Sequence, residues 1–409
     1  MVVKPKVILN IALIVVLFGT NVALFAQSKV SESIYQSLGK GAAKDELSSR
    51  ADPEFSPLQI EAQSPPENLA NFSPASKKLY NSINQFTGIP SAFISLGNRQ
   101  PTYGIVVEKN IHRLTVFKLQ DDGNYTVMKS YKAITGKEQG DKKYSGDNRT
   151  PEGIYFVVGQ KHSKELVRRW GKSANKYGPM AFVLDYPNIF DKRSKKTGFG
   201  IWIHGVDKET RILTPFDTEG CVALTNNDVL DVSNYISPWE TPVVIVDKMQ
   251  SSPLTDIQEE RGKVLNMLEI WRKSWESSDI NTYTGFYSDN FYSLGKTKAQ
   301  WQNFKQSLAK LRDSSIQVQI SEPKILAFKN QLLVEFFQKY SAKGKVDFGR
   351  KFLYLHQEGD TFKIIAEKWY PIKNKEDVEL ALVRNLSLSV PVSSASVSAS
   401  VAGERQAKN

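Results

Sequence analysis

The sequence predicts two folded domains, a mainly β domain of sandwich type with short helices, then an α+β domain whose helices pack on a curved antiparallel sheet. Three observations lead there. Seven short segments rich in β-branched and aromatic residues, each bounded by Gly, Asn, Asp or Pro, crowd residues 100–249. From Thr255 the apolar spacing becomes helical, and strand-like segments follow the helices. A chain of 409 residues with 40% hydrophobic residues is long enough to bury two cores and leave linkers over.

In chain order, residues 1–26 open with MVVKPK and continue as VILNIALIVVLFGTNVALFA. A short basic head before an apolar run is the pattern of a signal peptide or an uncleaved signal anchor. Ala26 is small enough to precede a cleavage site, whereas Leu24 is larger than such sites favour, so both forms stay open. The expectation is an exported protein of the periplasm or cell envelope. Residues 27–99 are rich in Ser, Pro, Ala and charge and read as a linker with room for short helices, ending in a turn-rich bridge, IPSAFISLGNRQPTY.

The first domain, 100–249, contains YGIVVEKN, HRLTVFKL, YTVMKSYKAITG, GIYFVVGQ, MAFVLDYP, GFGIWIHG and TPVVIVDK. Its clearest helix follows Leu224, where Thr225 caps and Asp228 completes a capping-box pattern. The second domain, 255–372, starts at a capping-box TDIQ. Val264, Met267, Leu268, Trp271 and Trp275 then mark one face of a long helix. A second helix is expected around AQWQNFKQSLAKL, then four strands in IQVQISEP, KILAFKNQLLVEFFQKYS, GRKFLYLHQEG and TFKIIAEKWYP. Residues 373–409 form a tail, with one short helix in NKEDVELALV and a low-complexity Ser-rich end.

The formal charge is +11. Export argues against nucleic acid as the partner, and an anionic wall or membrane surface fits better, although such an excess is commonly only a solvated surface. The chain has one cysteine, Cys221. It cannot form an intramolecular bridge, which in an oxidising compartment leaves a reactive thiol or an inert buried one. The neighbourhood favours reactivity. His204 ends the strand-like GFGIWIH, Gly205 lets the backbone turn away, and Gly220-Cys221 begins another extended segment. If the two segments are sheet neighbours, imidazole and sulfur face each other, a histidinium lowers the thiol pKa, and the amides around Gly220 and Cys221 are oxyanion donors.

These residues resemble the YkuD-type L,D-transpeptidase catalytic domain, whose signature is HG, a variable loop, then [S/T]-x-G-C and an aliphatic residue. Here they are His204-Gly205 and Thr218-Glu219-Gly220-Cys221-Val222, and NRTPEGIYFV upstream is similar to the family's TP-x-G strand. The resemblance implies a nucleophile at Cys221, a base at His204 and the Gly205 carbonyl holding the imidazole tautomer. The implied substrate is a peptidoglycan stem peptide, cut between its diamino acid and terminal D-alanine. Where many members have arginine two places after the cysteine, this chain has Ala223, which puts the acyl acceptor in question.

The second domain's order of helices and then strands resembles the nuclear-transport-factor-two-like fold. That pairing is similar to cell-shape-determining L,D-carboxypeptidases, in which water resolves the acyl-enzyme. KYGPMAFVLDYPN, Lys176 to Asn188, likewise looks like a hydrolytic branch. The function expected is an L,D-carboxypeptidase. An L,D-transpeptidase, a hydrolase of such links and a non-catalytic wall-binding adaptor are the alternatives.

Thr218, Arg149 and Tyr186 are further candidates to line the substrate site, each balanced by a turn, surface or packing role. Asp207 and Asp217 lie in a polar loop and read as solvated. His112, His162 and His356 have no metal-ligand spacing, so neither metal nor cofactor is expected. Trp271, Trp275, Trp301 and Trp369 read as core. Besides stem peptides, a wall-linked or shape-determining protein and a second copy in a homodimer are the partners considered.

Overall fold

The computed structural model describes residues 89–100, 102–310, 316–342 and 344–386. The expected signal segment, most of the linker and the Ser-rich end of the tail lie outside them.

Two short strands come first, β1 (Ile89–Pro90) and β2 (Phe93–Leu96). The first domain then runs through β3 (Tyr103–Glu108), β4 (Arg113–Leu119), β5 (Tyr125–Lys132), β6 (Thr135–Gly136), β7 (Gly153–His162), helix α1 (Ser163–Trp170), β8 (Met180–Leu184), helix α2 (Ile189–Arg193), β9 (Trp202–His204), β10 (Phe216–Thr218), β11 (Val222–Ala223), helix α3 (Asn226–Val232) and β12 (Pro242–Val246). Eight of these strands form one sheet in the order β11-β9-β8-β7-β12-β3-β4-β5. The long β7 pairs with β12 through its first half and, past an irregularity between Val157 and Gly159, with β8 through its second. Both ends of the sheet therefore turn toward a common interior, where Val107 and Val116 from one end meet Ile203 and Val222 from the other, together with Val229 and Val232 of α3. This curled sheet is the form that the expected sandwich takes. Thr225 caps α3 by accepting from the Asp228 amide at 3.0 Å.

The second domain adds β13 (Ser251–Ser252), helices α4 (Leu254–Glu276) and α5 (Ile280–Gly285), β14 (Tyr292–Ser293), β15 (Lys296–Thr297), helix α6 (Lys298–Lys310), strands β16 (Gln317–Ile320), β17 (Lys324–Phe328), β18 (Gln331–Ala342), β19 (Lys345–Glu358) and β20 (Thr361–Pro371), and helix α7 (Lys375–Leu386). Its antiparallel sheet runs β17-β18-β19-β20, with β16 also on β18. Trp271, Trp275 and Trp301 are buried between helices and sheet, and Trp369 is half-buried.

Three details differ from the sequence reading. The bridge placed in the linker contains β2, which joins the second domain's sheet beside β17, while β1 pairs with β13. The segment KILAFKNQLLVEFFQKYS is two strands joined at Lys329, which takes a left-handed φ of 53° that usually signals Gly or Asn. Helix α4 starts at Leu254 with Pro253 at its N-cap, and the Thr255 hydroxyl meets Asp256 instead of capping.

Strands β3, β7, β12, β18 and β19 are apolar on both faces because the two sheets also pack against each other. Val106, Ile154, Phe156 and Val244 from the first domain meet Leu326, Leu333, Phe352 and Tyr354 from the second, with Phe93 and Leu96 of β2 among them. Each large side chain buried there contributes on the order of 1.5–3 kcal/mol. At one edge of this contact Glu240 accepts from Arg99 at 3.4 Å and from Lys324 at 2.6 Å, and also pairs with Arg350.

Candidate active site

Parallel pairing of β11 with β9 sets Val222 opposite Ile203 and Ala223 opposite His204. Cys221, immediately before β11, thereby comes beside Trp202, and Cys221 and His204 line one cleft of about 960 Å³. The thiol is half-buried and donates to the Gly200 carbonyl at 3.4 Å. His204 is buried, and its Nδ1 lies 2.5 Å from the Gly205 carbonyl. A carbonyl only accepts, so Nδ1 carries the hydrogen and Nε2 is left as the basic nitrogen.

Glycine is required on both sides of this pair. A Cβ on Gly205 would stand 2.4 Å from Asn226 Oδ1, the acceptor for the Val206 amide. At Gly220 the backbone has φ +123°, and a Cβ would stand 2.7 Å from the Arg149 carbonyl. Thr218 locks the intervening turn, its hydroxyl donating to the Cys221 carbonyl at 2.7 Å and accepting from the Gly220 amide at 3.1 Å.

Electrostatics correct the expectation of a thiolate paired with imidazolium. Burial pushes the thiol up to about 11, against smaller opposing effects of the Trp202 amide and Lys176. Burial also pushes the imidazole down to about 4; the Gly205 carbonyl opposes this, while Arg211 and Lys176 add to it. The resting pair at neutral pH is therefore a neutral thiol beside a neutral imidazole.

Of the sequence candidates, Cys221, His204 and Thr218 share the cleft, and Gly205 stands behind the imidazole. The Gly220 amide is committed to the Thr218 hydroxyl, which corrects its reading as an oxyanion donor. Tyr186 and Arg149 are not among the residues lining the cleft. Tyr186 is buried, its hydroxyl donating to the Thr197 carbonyl at 2.9 Å, and Arg149 is half-buried with Nε inside the protein. Asp207 and Asp217 both bind Arg211, at 3.1 and 2.6 Å. Ala223 is fully buried with Ile134, Val206 and Ile212, so a guanidinium at this position would enter an apolar cluster.

Sequence reasoning missed an aromatic wall and a cation. Tyr177 meets His204 edge-on at 5.1 Å, Trp202 stacks on Trp170 at 5.6 Å, and Lys176 Nζ lies 5.3 Å from the Tyr177 ring centre. Their signal lay in KYGPM, where Gly178, at φ +65°, packs against Gly205 and Val206 and so presses Tyr177 toward the imidazole.

Residues 102–245 match the L,D-transpeptidase catalytic domain of the YkuD family. Residues 263–368 match the C-terminal NTF2-like domain described for Cds6. Among solved structures, Bd1075 from Bdellovibrio bacteriovorus is 32% identical, with a TM-score of 0.61, over 70% of this chain and 100% of that one. The helical cell shape determining protein Pgp2 from Campylobacter jejuni is 27% identical, with a TM-score of 0.54, over 70% of this chain and 97% of its own. No curated protein matches the sequence. On the full-length likeness to Bd1075 and the two domain matches in this order, the chain belongs to the family that joins a YkuD-type L,D-transpeptidase catalytic domain to a C-terminal NTF2-like domain.

Proposed function

We propose that this protein is an exported L,D-carboxypeptidase that removes the terminal D-alanine from tetrapeptide stems of peptidoglycan. The observation that carries the reading is the meeting of Cys221 and His204 in one cleft, with His204 Nδ1 tied to Gly205 and Nε2 available. The family's catalytic domain acts on peptidoglycan peptides. The buried Ala223 and the likeness to a helical cell shape determining protein support water as acceptor and a role in cell shape.

In this mechanism the Cys221 sulfur attacks the carbonyl joining the diamino acid to D-alanine while His204 Nε2 takes the thiol proton. The Cys221 amide donates to the oxyanion. The C–N bond breaks as imidazolium returns the proton to the leaving amine. Water, deprotonated by His204, then attacks the thioester, releasing the tripeptide carboxylate and the sulfur, which regains its proton. Because thiol and imidazole both rest neutral, proton transfer accompanies attack.

Residues 27–409 incubated with tetrapeptide muropeptides, beside Cys221→Ala, test this by mass spectrometry. Loss of one D-alanine with the wild type alone supports the proposal. A dimer linked between diamino acids would make the protein a transpeptidase, and no thiol-dependent product would leave a hydrolase of a different wall bond or an adaptor.

A further inference from the structure

We propose that Lys176 binds the carboxylate of the departing D-alanine, making it a specificity residue for the reaction proposed above, on which this inference rests. Two of the four Lys and Arg side chains lining the cleft are already committed. Arg211 is held by Asp207 and Asp217, and Lys142, almost wholly buried, is held by Asp147 at 2.5 Å. The side chain of Lys176 is 48% exposed, and the carboxylate paired with it is Glu219, at 3.7 Å and 72% exposed. So exposed and long a pair contributes little and yields readily to a better-placed anion.

Position relative to His204 supplies the second half of the case. In the proposed reaction the imidazole protonates the D-alanine nitrogen, and the carboxylate sits on the carbon bonded to that nitrogen. Whatever binds the carboxylate must therefore lie on the imidazole's side of the sulfur. Lys176 meets this condition, standing over the ring of Tyr177, which in turn lies edge-on to His204. Its charge is close enough to both reacting groups to lower the pKa of the Cys221 thiol and of the His204 imidazole. Lys137, another cation of the cleft, has its backbone amide donating to the Thr218 carbonyl at 2.9 Å.

The test compares Cys221-dependent release from two muropeptides, one ending in D-alanine and one in D-alaninamide. A charged hydrogen bond corresponds to a preference of about 10- to 100-fold in kcat/KM for the free carboxylate. Lys176→Ala should lower turnover of the carboxylate substrate by that factor more than it lowers turnover of the amide, and Lys176→Arg should restore much of the preference. Equal slowing of both substrates by Lys176→Ala would overturn the assignment, as would loss of discrimination in Lys137→Ala instead. If the wild type cleaves both without preference, only the Lys176 assignment fails. If it releases D-alanine or D-alaninamide from neither, the proposed function itself has failed.

Discussion

A thiol held near pKa 11 makes a quantitative prediction that separates a neutral catalytic pair from an ion pair. The perturbation is pH, and the observable is alkylation of Cys221 by iodoacetamide, unambiguous because the chain has one cysteine. A free cysteine of pKa about 8.5 is roughly 3% thiolate at pH 7, whereas a group of pKa about 11 is on the order of 0.01% ionised, some 300-fold less. The more basic thiolate is the better nucleophile. With a Brønsted slope of about 0.45 over about 2.5 pH units, this recovers roughly 13-fold. Alkylation at pH 7 should thus run at least about 20-fold slower than for free cysteine, and its rate should rise through pH 9 and 10. The sign follows from burial, which favours the uncharged thiol, so ionisation is deferred to higher pH. A titration midpoint below about 8, or a rate at pH 7 above that of free cysteine, would refute the neutral pair and restore thiolate and imidazolium.

Three other predictions concern groups around this centre. His204→Ala should lower kcat/KM for D-alanine release by about 10²–10⁴-fold, measured by amino-acid release, with folding by circular dichroism unchanged. Gly205→Ala, whose Cβ would press to 2.4 Å from Asn226 Oδ1, should displace the carbonyl that orients the imidazole and cost on the order of 10²-fold in kcat/KM. Glu240→Gln removes one of the two anions that Arg99, Lys324 and Arg350 share, leaving Glu335, and should destabilise the protein by about 1–3 kcal/mol in urea denaturation. A change within about 0.5 kcal/mol would mean that Glu335 alone suffices to balance those cations.

The cysteine and histidine of the cleft were legible because their markers are local. An HG at a strand end and a TEGC before a helix cap are visible without knowing what packs against them. The strands of the first domain were equally plain, since burial on both faces produces dense β-branched runs. What escaped depends on distant parts of the chain. Ser95, within β2, donates to the Pro323 carbonyl 228 residues away, and nothing in FISL announces that partner. Lys329 turns a hairpin without glycine, so its two strands read as one. The direction of the thiol pKa was misjudged because histidine proximity is suggested by sequence, whereas burial is set by the whole fold. Tyr186 looked like a substrate residue from its motif, yet its hydroxyl is spent on the Thr197 carbonyl.

Strand β2 has a consequence for modularity. The last strand needed to complete the C-terminal sheet is encoded ahead of the catalytic domain, so a gene exchange beginning at residue 254 would transfer a sheet whose β17 edge has lost its neighbour. The catalytic half left behind would keep Phe93 against Phe117 and Tyr125 but would lose the cover that Leu326, Leu333, Phe352 and Tyr354 give this core. The smallest heritable piece is the span from β1 through β20, residues 89–371. A recombination point between the two domains, where the sequence divides them, would split this sheet from its edge strand.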